Sequence, residues 1–362
     1  MKWYFWVVLV LAVLALGVYL LNSTIAAKAP EFSQSDHYQD GKFHNEQPRM
    51  ALSFSKNIGL FWRFFTEEKV NTIPPSVPMK TVSRAELDAL SNNEVHIVKL
   101  GHSSLLIKMY GDYWLVDPVF GERASPFSFA GPKRFHPTPI TLEELPPIRR
   151  VLISHNHYDH LDKPTIEFLA KSQPLFHVPL GLSGDLTRWG IRPTNITEYD
   201  WWQEQMVGNI QLAFAPTQHF SGRGMSDSNI TLWGAWIIKT PDTAIFFSGD
   251  SGYFDGFKRI GERYGPFDLT FIETGAYDKD WADIHMTPEE SVQAHLDVKG
   301  KLMLPVHNGT FDLAFHAWSD PFERVLKAAN QHQVTLSTPI VGEVFTPTSA
   351  PVETRWWQNL AQ

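Results

Sequence analysis

Residues 151–162 read VLISHNHYDHLD, and this stretch predicts the kind of fold to which the chain belongs. Residues 151–153 form a short apolar run with β-branched side chains, which is typical of a buried strand. Polar residues follow the run at once, and α/β folds often place their chemistry in the loop after such a strand. The sequence therefore predicts a strand that opens into a functional loop.

Three histidines and two acids lie in this loop: His155, His157, Asp159, His160 and Asp162. Alternate residues such as His155 and His157 can point to the same side of a turn, so two imidazoles can hold one metal ion. Asp159 and His160 can then turn toward a neighbouring ion. These ligands suit Zn²⁺, and also Fe or Mn. The competing interpretation is a His-rich surface loop or capped turn that binds no metal.

Five residues cannot complete two coordination shells, so other parts of the chain must supply further ligands. Three later apolar, strand-like runs end at His219, Asp250 and His307. A single histidine at a strand end is weak evidence for a ligand. Together, however, the three runs repeat one arrangement, and we take these residues as the further candidate ligands.

Longer stretches of the chain resemble the N-acylphosphatidylethanolamine-hydrolysing phospholipase D family of the metallo-β-lactamase-fold hydrolases. The shared stretches are GHSSLLIKM (101–109), DPVFGERASPFSFAGPKRF (117–135), ELPPIRRVLISHNHYDHLD (144–162), GDSGYF (249–254), RYGPFDL (263–269) and GAYDKDW (275–281). The HxHxDH pattern marks only the superfamily, whereas the GPKRF and GAY stretches are more specific. The resemblance runs from residue 98 to 307 and more loosely onward.

The resemblance implies an α/β fold, the metallo-β-lactamase-like four-layer αβ/βα sandwich, with two Zn²⁺ ions per chain. The implied first ion is held by His155, His157 and His219, the second by Asp159, His160 and His307, and Asp250 bridges them. Alternating strands and helices agree with this layout without distinguishing it from other α/β folds. The expected elements include strands 95–100, 103–109 and 113–116, a hairpin turn at Gly111-Asp112, and helices 163–171, 181–189, 256–264 and 287–297.

The resemblance also implies an activity. A hydroxide bridging two metal ions would hydrolyse N-acylphosphatidylethanolamine to N-acylethanolamine and phosphatidic acid. Asp159, Asp250 and His285 are the expected catalytic residues, and His285 lies just before a helix start at TPEE (287–290). The expected substrate-binding residues are Tyr158, His285, Gln218 and Tyr277. The remaining histidines, including His102, are expected to lie outside the metal site.

Two other functions stay open. The same scaffold could carry a lactonase or another lipid phosphodiesterase, or the chain could be a non-catalytic, membrane-tethered metal-binding protein. The chain has no cysteine, which excludes thiolate ligands and disulfides. Some metallo-β-lactamases use a cysteine at the second metal, so the absence of cysteine argues against β-lactam hydrolysis. A formal net charge of −8 argues against a nucleic-acid partner.

The first residues favour a membrane segment. No charged residue lies between Lys2 and Lys28, and an apolar run of about 20 residues can span a bilayer. The alternative is a signal peptide cleaved at Ala27-Lys28-Ala29, which has the small-x-small form. Lys2 favours a cytoplasmic N-terminus, which places the catalytic part in the periplasm or another extracytoplasmic space if the protein is bacterial.

Three regions are predicted: the anchor or signal segment 1–28, a connecting segment 29–80, and the hydrolase domain 81–362. The connecting segment has an aromatic stretch at 58–65, which either packs on the domain or forms a helix that dips into the bilayer interface. The expected partners are a phospholipid substrate and a membrane, and the resemblance adds a homodimer.

Overall fold

The structure, a computed structural model, describes residues 2–49, 58–60, 62–63, 66–352 and 354–360. The chain begins with helix α1 (Lys2–Ile25), and a small hairpin of β1 (Tyr38–Gln39) and β2 (Lys42–Phe43) follows. Within the described residues, α1 is the one helix long and apolar enough to cross a membrane, over Trp6–Ile25.

Two seven-stranded sheets form the body of the described chain. The first half of the domain contains, in chain order, α2 (Arg84–Asp88), β3 (His96–Gly101), β4 (Ser104–Met109), β5 (Asp112–Val116), β6 (Ile148–Leu152), α3 (Lys163–Leu169), β7 (Leu175–Pro179), α4 (Ser183–Arg188), a 3₁₀ turn (Pro193–Asn195) and β8 (Ile196–Tyr199).

The second half contains β9 (Glu204–Val207), β10 (Ile210–Ala215), β11 (Ala235–Lys239), β12 (Ala244–Phe247), α5 (Gly256–Tyr264), β13 (Phe267–Glu273), α6 (Pro288–Asp297), β14 (Gly300–Val306), α7 (Asp320–His332), β15 (Thr335–Leu336), β16 (Val344–Phe345) and a 3₁₀ turn (Trp356–Asn359). The spatial order is β16-β3-β4-β5-β6-β7-β8 in the first sheet and β15-β14-β13-β12-β11-β10-β9 in the second.

The two sheets repeat one pairing pattern. In each sheet, three antiparallel pairings are followed by three parallel ones, and the parallel part begins at β5–β6 in the first sheet and at β12–β13 in the second. Parallel strands require crossover connections, and a helix lies in each of them except the β5–β6 connection, residues 117–147. Each sheet therefore carries helices on one face, and its other face can pack against the other sheet.

Apolar packing confirms four layers. Trp114 of the first sheet and Phe214, Trp236 and Phe271 of the second belong to one core between the sheets. A second core joins α5, α6 and α7 to the outer face of the second sheet, and a third joins α2, α3 and α4 to the first. The predicted four-layer αβ/βα sandwich is thus confirmed.

Most predicted elements are present with shifted ends. The helix predicted at 256–264 has those bounds, and Thr287 caps α6 with the reciprocal bonds to Glu290 that its sequence indicates. The predicted hairpin turn at Gly111-Asp112 is wrong by one residue. The turn residues are Tyr110 and Gly111, whose φ angles of 51° and 87° are both left-handed, as a two-residue hairpin turn of this type requires.

The aromatic stretch 58–65 lies partly outside the described residues, which omit 61, 64 and 65. Residues 58–60, 62, 63 and 66 are helical. Arg63 forms an ion pair with Asp278 at 2.9 Å, while Trp62 is exposed. The described part is therefore tied to the domain by one side chain and leaves another in solvent, so both expected roles of the stretch stay predictions.

Candidate metal centre

Seven predicted ligands come together at one end of the sandwich. His155, His157, Asp159 and His160 lie in the loop after β6, whereas His219, Asp250 and His307 follow the ends of β10, β12 and β14. Burial of the strands on both faces leaves their ends as the places where polar side chains can gather around a cavity. The side chains form two groups that share this end of the fold.

The first ligand group consists of His155, His157, His219 and Asp250, whose ligand atoms all lie within 4.8 Å of one another. The Nδ1 atom of His157 is 2.9 Å from Nε2 of His155 and 3.2 Å from Nε2 of His219. Ring nitrogens converge in this way when each points its lone pair at a shared cation. The first group could therefore hold a metal ion.

Contacts behind the first group orient its rings. Nδ1 of His219 donates to the carbonyl oxygen of Ile284 at 2.9 Å, and Nδ1 of His155 lies 2.9 Å from Oγ of Ser154. Occupying Nδ1 in these two rings directs their Nε2 atoms toward the shared centre, to which His157 presents Nδ1. The tautomer that a metal needs is thereby selected before any ion binds.

The second ligand group consists of His102, Asp159, His160 and His307, again within 4.8 Å. Oδ2 of Asp159 is 3.0 Å from Nε2 of His102 and 3.1 Å from Nε2 of His307. Carboxylate and imidazole ligands in this number fit a divalent metal ion.

Asp250 lies between the two groups. Its Oδ1 is 3.1 Å from Nε2 of His160, and its Oδ2 is 3.1 Å from Nε2 of His307 and 3.6 Å from Nε2 of His155. Oδ1 of Asp250 and Nε2 of His160 are buried, and neither has a hydrogen-bond partner of acceptable geometry among the described residues. Such orphaned atoms are costly to bury, so they fit a site that a cation completes.

His102 is predicted to lie outside the metal site, but the structure places its ring in the second ligand group. His102 follows β3, lies buried in the second group, and its backbone N–H donates to Oγ1 of Thr310 at 2.6 Å. Its left-handed φ of 51° turns the side chain out of the strand toward Asp159. The sequence signal was present, because a polar residue at a strand end is the arrangement that identified His219 and His307.

Asp117 is a second residue that the sequence reading missed. It follows β5, is buried, and accepts hydrogen bonds from Nδ1 of His160 and from the backbone N–H of Ser154, both at 2.7 Å. A carboxylate behind a ligating histidine fixes the ring and raises its basicity. Asp117 therefore orients His160 toward Asp250.

Electrostatics keep the carboxylates ionised. Burial alone would raise the pKa of Asp250, but the imidazoles of His160 and His307 hold it well below its usual range. The same balance lowers the pKa of Asp159, with His160 as the main favourable neighbour. Conversely, Asp250 and its neighbours overcome burial and raise the pKa of His307 to about 10. Charge and countercharge are thus concentrated where cations would bind.

His285 stands beside both groups and contacts Glu273. Its Nδ1 donates to the Glu273 carboxylate, which also accepts the backbone N–H of Ser251 at 2.5 Å. Asp250, His285 and His307 form a third set of converging ligand atoms. Glu273 is the last residue of β13 and is fully buried, which raises its pKa. Like Asp117, it positions another side chain and was not predicted.

A cavity of about 480 Å³ opens over the two groups. His157, Asp159, Asp250, His285 and His307 form its polar floor. The apolar residues that line it are Leu60, Ala124, Phe220, Ala276, Trp281, Ile284 and Leu313. Arg49 also lines it and lies over the ring of Phe220 at 4.7 Å.

The four predicted substrate residues divide into two pairs. His285 and Tyr158 line the cavity, although the Tyr158 hydroxyl already donates to the carbonyl oxygen of Arg223 at 2.7 Å. Gln218 and Tyr277 are not among the described residues that line it. Gln218 donates to the Gln47 carbonyl at 2.9 Å, and the Tyr277 hydroxyl donates to Asp320, so each side chain is held elsewhere by a local partner.

Known proteins resemble this chain in sequence and fold. A family model described as "Beta-lactamase superfamily domain" matches residues 113–308. An uncharacterised protein of Mycobacterium tuberculosis is 39% identical over 331 residues, which cover 90% of this chain and 88% of the relative. The Caenorhabditis elegans protein "N-acyl-phosphatidylethanolamine-hydrolyzing phospholipase D 1" is 38% identical over 226 residues, which cover 59% of this chain and 64% of that protein.

Among solved structures, Igni18, a metallo hydrolase from the archaeon Ignicoccus hospitalis, matches with a TM-score of 0.55 at 21% identity. The match covers 70% of this chain and 98% of the archaeal one. At that identity the similarity supports the fold.

Proposed function

Because the chain belongs to the metallo-β-lactamase superfamily and is a metal-dependent hydrolase, we propose that it is a phospholipase D-type phosphodiesterase with two Zn²⁺ ions. Its substrate is N-acylphosphatidylethanolamine, and its products are N-acylethanolamine and phosphatidic acid. One observation carries the proposal: two ligand groups that share Asp250 lie under a cavity whose walls are largely apolar. The similarity to the nematode phospholipase D supports the choice of substrate.

The donor sets suit two zinc ions. The first group offers three imidazoles and the second offers imidazoles with Asp159, and Asp250 reaches toward both. Zinc bound there would supply a nucleophilic water at neutral pH and charge neutralisation for a phosphodiester. The ionised state of Asp159 and Asp250 lets these carboxylates bind cations without first losing a proton.

His285 is suited to move a proton. Its Nδ1–H is held by Glu273, which leaves the other ring nitrogen available to a substrate oxygen in the cavity. A histidine oriented by a buried carboxylate is an effective general acid or base. We assign His285 to protonation of the leaving alkoxide of N-acylethanolamine, and Glu273 to holding its ring in place.

The cavity walls suit a lipid. Leu60, Phe220 and Trp281 offer apolar surface for an acyl chain, while Arg49 offers a cation for the phosphate. Arginine binds phosphate oxygens well because its planar guanidinium donates two parallel hydrogen bonds. A lipid bound in this way would have its phosphodiester over the ligand groups and its acyl chains along the apolar walls.

We further propose that α1 is a retained membrane anchor that holds the catalytic domain on the extracytoplasmic side. Ala26 and Ala27 are buried, and the backbone N–H of Ala27 donates to Oδ2 of Asp227 at 2.6 Å. The end of α1 is thus packed on the domain and hydrogen-bonded to it, which supports its retention as part of the folded protein, although Lys28 itself is exposed. The intact mass of the membrane-extracted protein tests this, because cleavage would remove the mass of α1.

Product analysis by mass spectrometry tests the activity. Full-length protein, Asp250→Asn and the matched control Asp255→Asn would each be incubated with micelles containing N-acylphosphatidylethanolamine. Asp255 is an exposed aspartate that lies 3.5 Å from Lys258, outside the cavity and both ligand groups. We expect N-acylethanolamine from the wild type and the control and none from Asp250→Asn. A wild type that holds two metal ions and releases none would reject this substrate and direct the assay to lactones and other phosphodiesters.

A further inference from the structure

The C-terminal end of α1 is bound to the domain at loop 222–227. Nδ2 of Asn22 donates to Oγ of Ser226 at 2.7 Å, and Oδ1 of Asn22 accepts the backbone N–H of Met225 at 2.7 Å. A Cβ at Gly224 would lie 2.6 Å from Oδ1 of Asn22, so the two segments are in close contact. The orientation of the domain relative to α1 is therefore defined.

The length of α1 indicates where the contact between Asn22 and loop 222–227 lies relative to a bilayer. Its apolar part, Trp6–Ile25, has 20 residues, which at 1.5 Å per residue span about 30 Å, the thickness of the hydrocarbon core. Asn22 lies about one helical turn before the end of that part. Because Met225 is hydrogen-bonded to Asn22, loop 222–227 must lie in the interfacial layer if α1 crosses the bilayer.

A second loop, 121–131, lies on the same side of α1. Phe127 lines a cavity of about 520 Å³ together with Leu21 and Ile25 of α1. The loop folds back on itself, since the backbones of Arg123 and Lys133 form an antiparallel β-bridge across its base. The Phe127 and Phe129 rings lie 5.4 Å apart near its tip. Its tip therefore projects beside the end of the anchor.

Both loops expose large apolar side chains at these positions. Phe129 is 80% exposed and Met225 is 74% exposed. A single exposed apolar residue needs no explanation, but two beside the end of a membrane-length helix match the pattern of interfacial anchors. Phenylalanine is among the large apolar residues that interfacial segments bury at the boundary between headgroups and acyl chains.

These loops also border the catalytic cavity. Ala124, at the base of loop 121–131, lines the cavity over the ligand groups, and Tyr158 lines both that cavity and the one beside α1. Arg223, at the start of the other loop, lies 4.0 Å over the Tyr158 ring. Membrane contact at the loop tips would thus bring the cavity beside the lipid surface.

We propose that loops 121–131 and 222–227 form a membrane-contact surface whose Phe129 and Met225 side chains insert among the phospholipids beside α1. The proposal rests on the proposed anchor. If these loops contact the membrane, the substrate moves from the bilayer surface past Ala124 and Tyr158 to the ligand groups without passing through bulk water.

Single-cysteine labelling tests the surface, because the chain has no native cysteine. Full-length Phe129→Cys, Met225→Cys, Met206→Cys and Val13→Cys variants would carry an environment-sensitive fluorophore in phosphatidylcholine–phosphatidylethanolamine vesicles. Interfacial apolar side chains lie about 5–10 Å deep at the boundary between headgroups and acyl chains, so lipids with a nitroxide just below the headgroup would quench labels there. Met206 is the matched control, since it is 60% exposed but lies on β9 of the second sheet. Val13 lies in the middle of α1.

We expect at least about twofold stronger quenching at 129 and 225 than at 206, with blue-shifted emission at both. Labels at 129 or 225 that behave like the label at 206, while a nitroxide at the bilayer centre quenches position 13, would overturn the contact surface and leave the anchor intact. Absence of quenching at position 13 would overturn the anchor and this surface together. Product release by each labelled variant shows that the site still folds.

Discussion

The two ligand groups meet at Asp250 but differ in what surrounds them. The first group, apart from Asp250, contains only imidazoles, and burial lowers the pKa of His155 and His219. In the second group, carboxylates on both sides overcome burial and raise the pKa of His160. The rings of the first group can therefore bind a metal ion without losing a proton, whereas His160 would exchange a proton for the ion while Asp117 holds its ring in place. We expect the second group to be the more sensitive to loss of a partner.

The largest effect is expected from a substitution of Asp250, the residue that lies between the two groups. Asp250→Asn removes the one carboxylate that reaches toward both groups, so the binding of both metal ions should be weakened or lost. We expect kcat/KM to fall by about a thousandfold or more, which corresponds to several kcal/mol of lost charge stabilisation. Metal content by mass spectrometry and initial rates measure the two effects. Retention of two ions with normal rates would show that Asp250 is not a shared ligand.

Next in size is a pair of substitutions that separates the groups. His219→Ala removes a ligand of the first group and His307→Ala one of the second, so each variant should bind about one ion fewer, with activity reduced about a hundredfold or more. Metal titration followed by chelator competition identifies the ion that is lost. If both variants lost the same ion, the division into two groups would be wrong.

A smaller effect is expected from Asp117→Asn, which weakens the orientation of His160 without removing a ligand. Loss of such an outer carboxylate typically costs about 10–100-fold in metal affinity, and here only the second group should be affected. Asp185→Asn is the matched control, because Asp185 is also buried but binds Arg188 in α4. Equal weakening of both ions would mean that Asp117 supports the whole site.

The last test concerns stability rather than metal binding, and it uses His177, a histidine outside both groups. Burial, aided by Arg150, lowers the pKa of His177 to about 4 in the folded chain. The unfolded chain binds a proton near pH 6.5. Between about pH 6.5 and 4 the unfolded state therefore holds more protons, and this contribution to stability, full above pH 6.5, is lost as the pH falls, by about 1.4 kcal/mol per pH unit.

His177→Asn should remove that part of the slope. Urea unfolding of the metal-free full-length protein in detergent, measured between pH 6.5 and 4.5, gives the free energy of unfolding at each pH. An unchanged slope would show that His177 does not contribute to the acid sensitivity. The ligand groups and buried histidines such as His136 and His295, whose pKa burial also lowers to about 4, would then account for it.

Local or repeated sequence patterns predicted seven residues that the structure brings together in the two ligand groups. His155, His157, Asp159 and His160 are adjacent in one loop, and His219, Asp250 and His307 each end an apolar run. His102 ends a strand as His219 and His307 do, so the same pattern could have identified it. Asp117 and Glu273 also lie at strand ends, but only their hydrogen bonds to His160 and His285 give them a role. Gln218 and Tyr277 were expected in the cavity, yet Gln47 and Asp320 hold their side chains away from it.

By itself, then, the sequence determined the strand-and-loop pattern, the apolar first helix and the chemistry of the seven predicted ligands, because these depend on residue type and short spacing. Only the tertiary structure decided that Asp250 lies between two groups, that Asp117 and Glu273 stand behind His160 and His285, and that α1 meets loop 222–227. Those relations join residues that are distant along the chain. They depend on how two sheets pack and how strand ends align, which the free energy of the whole fold decides.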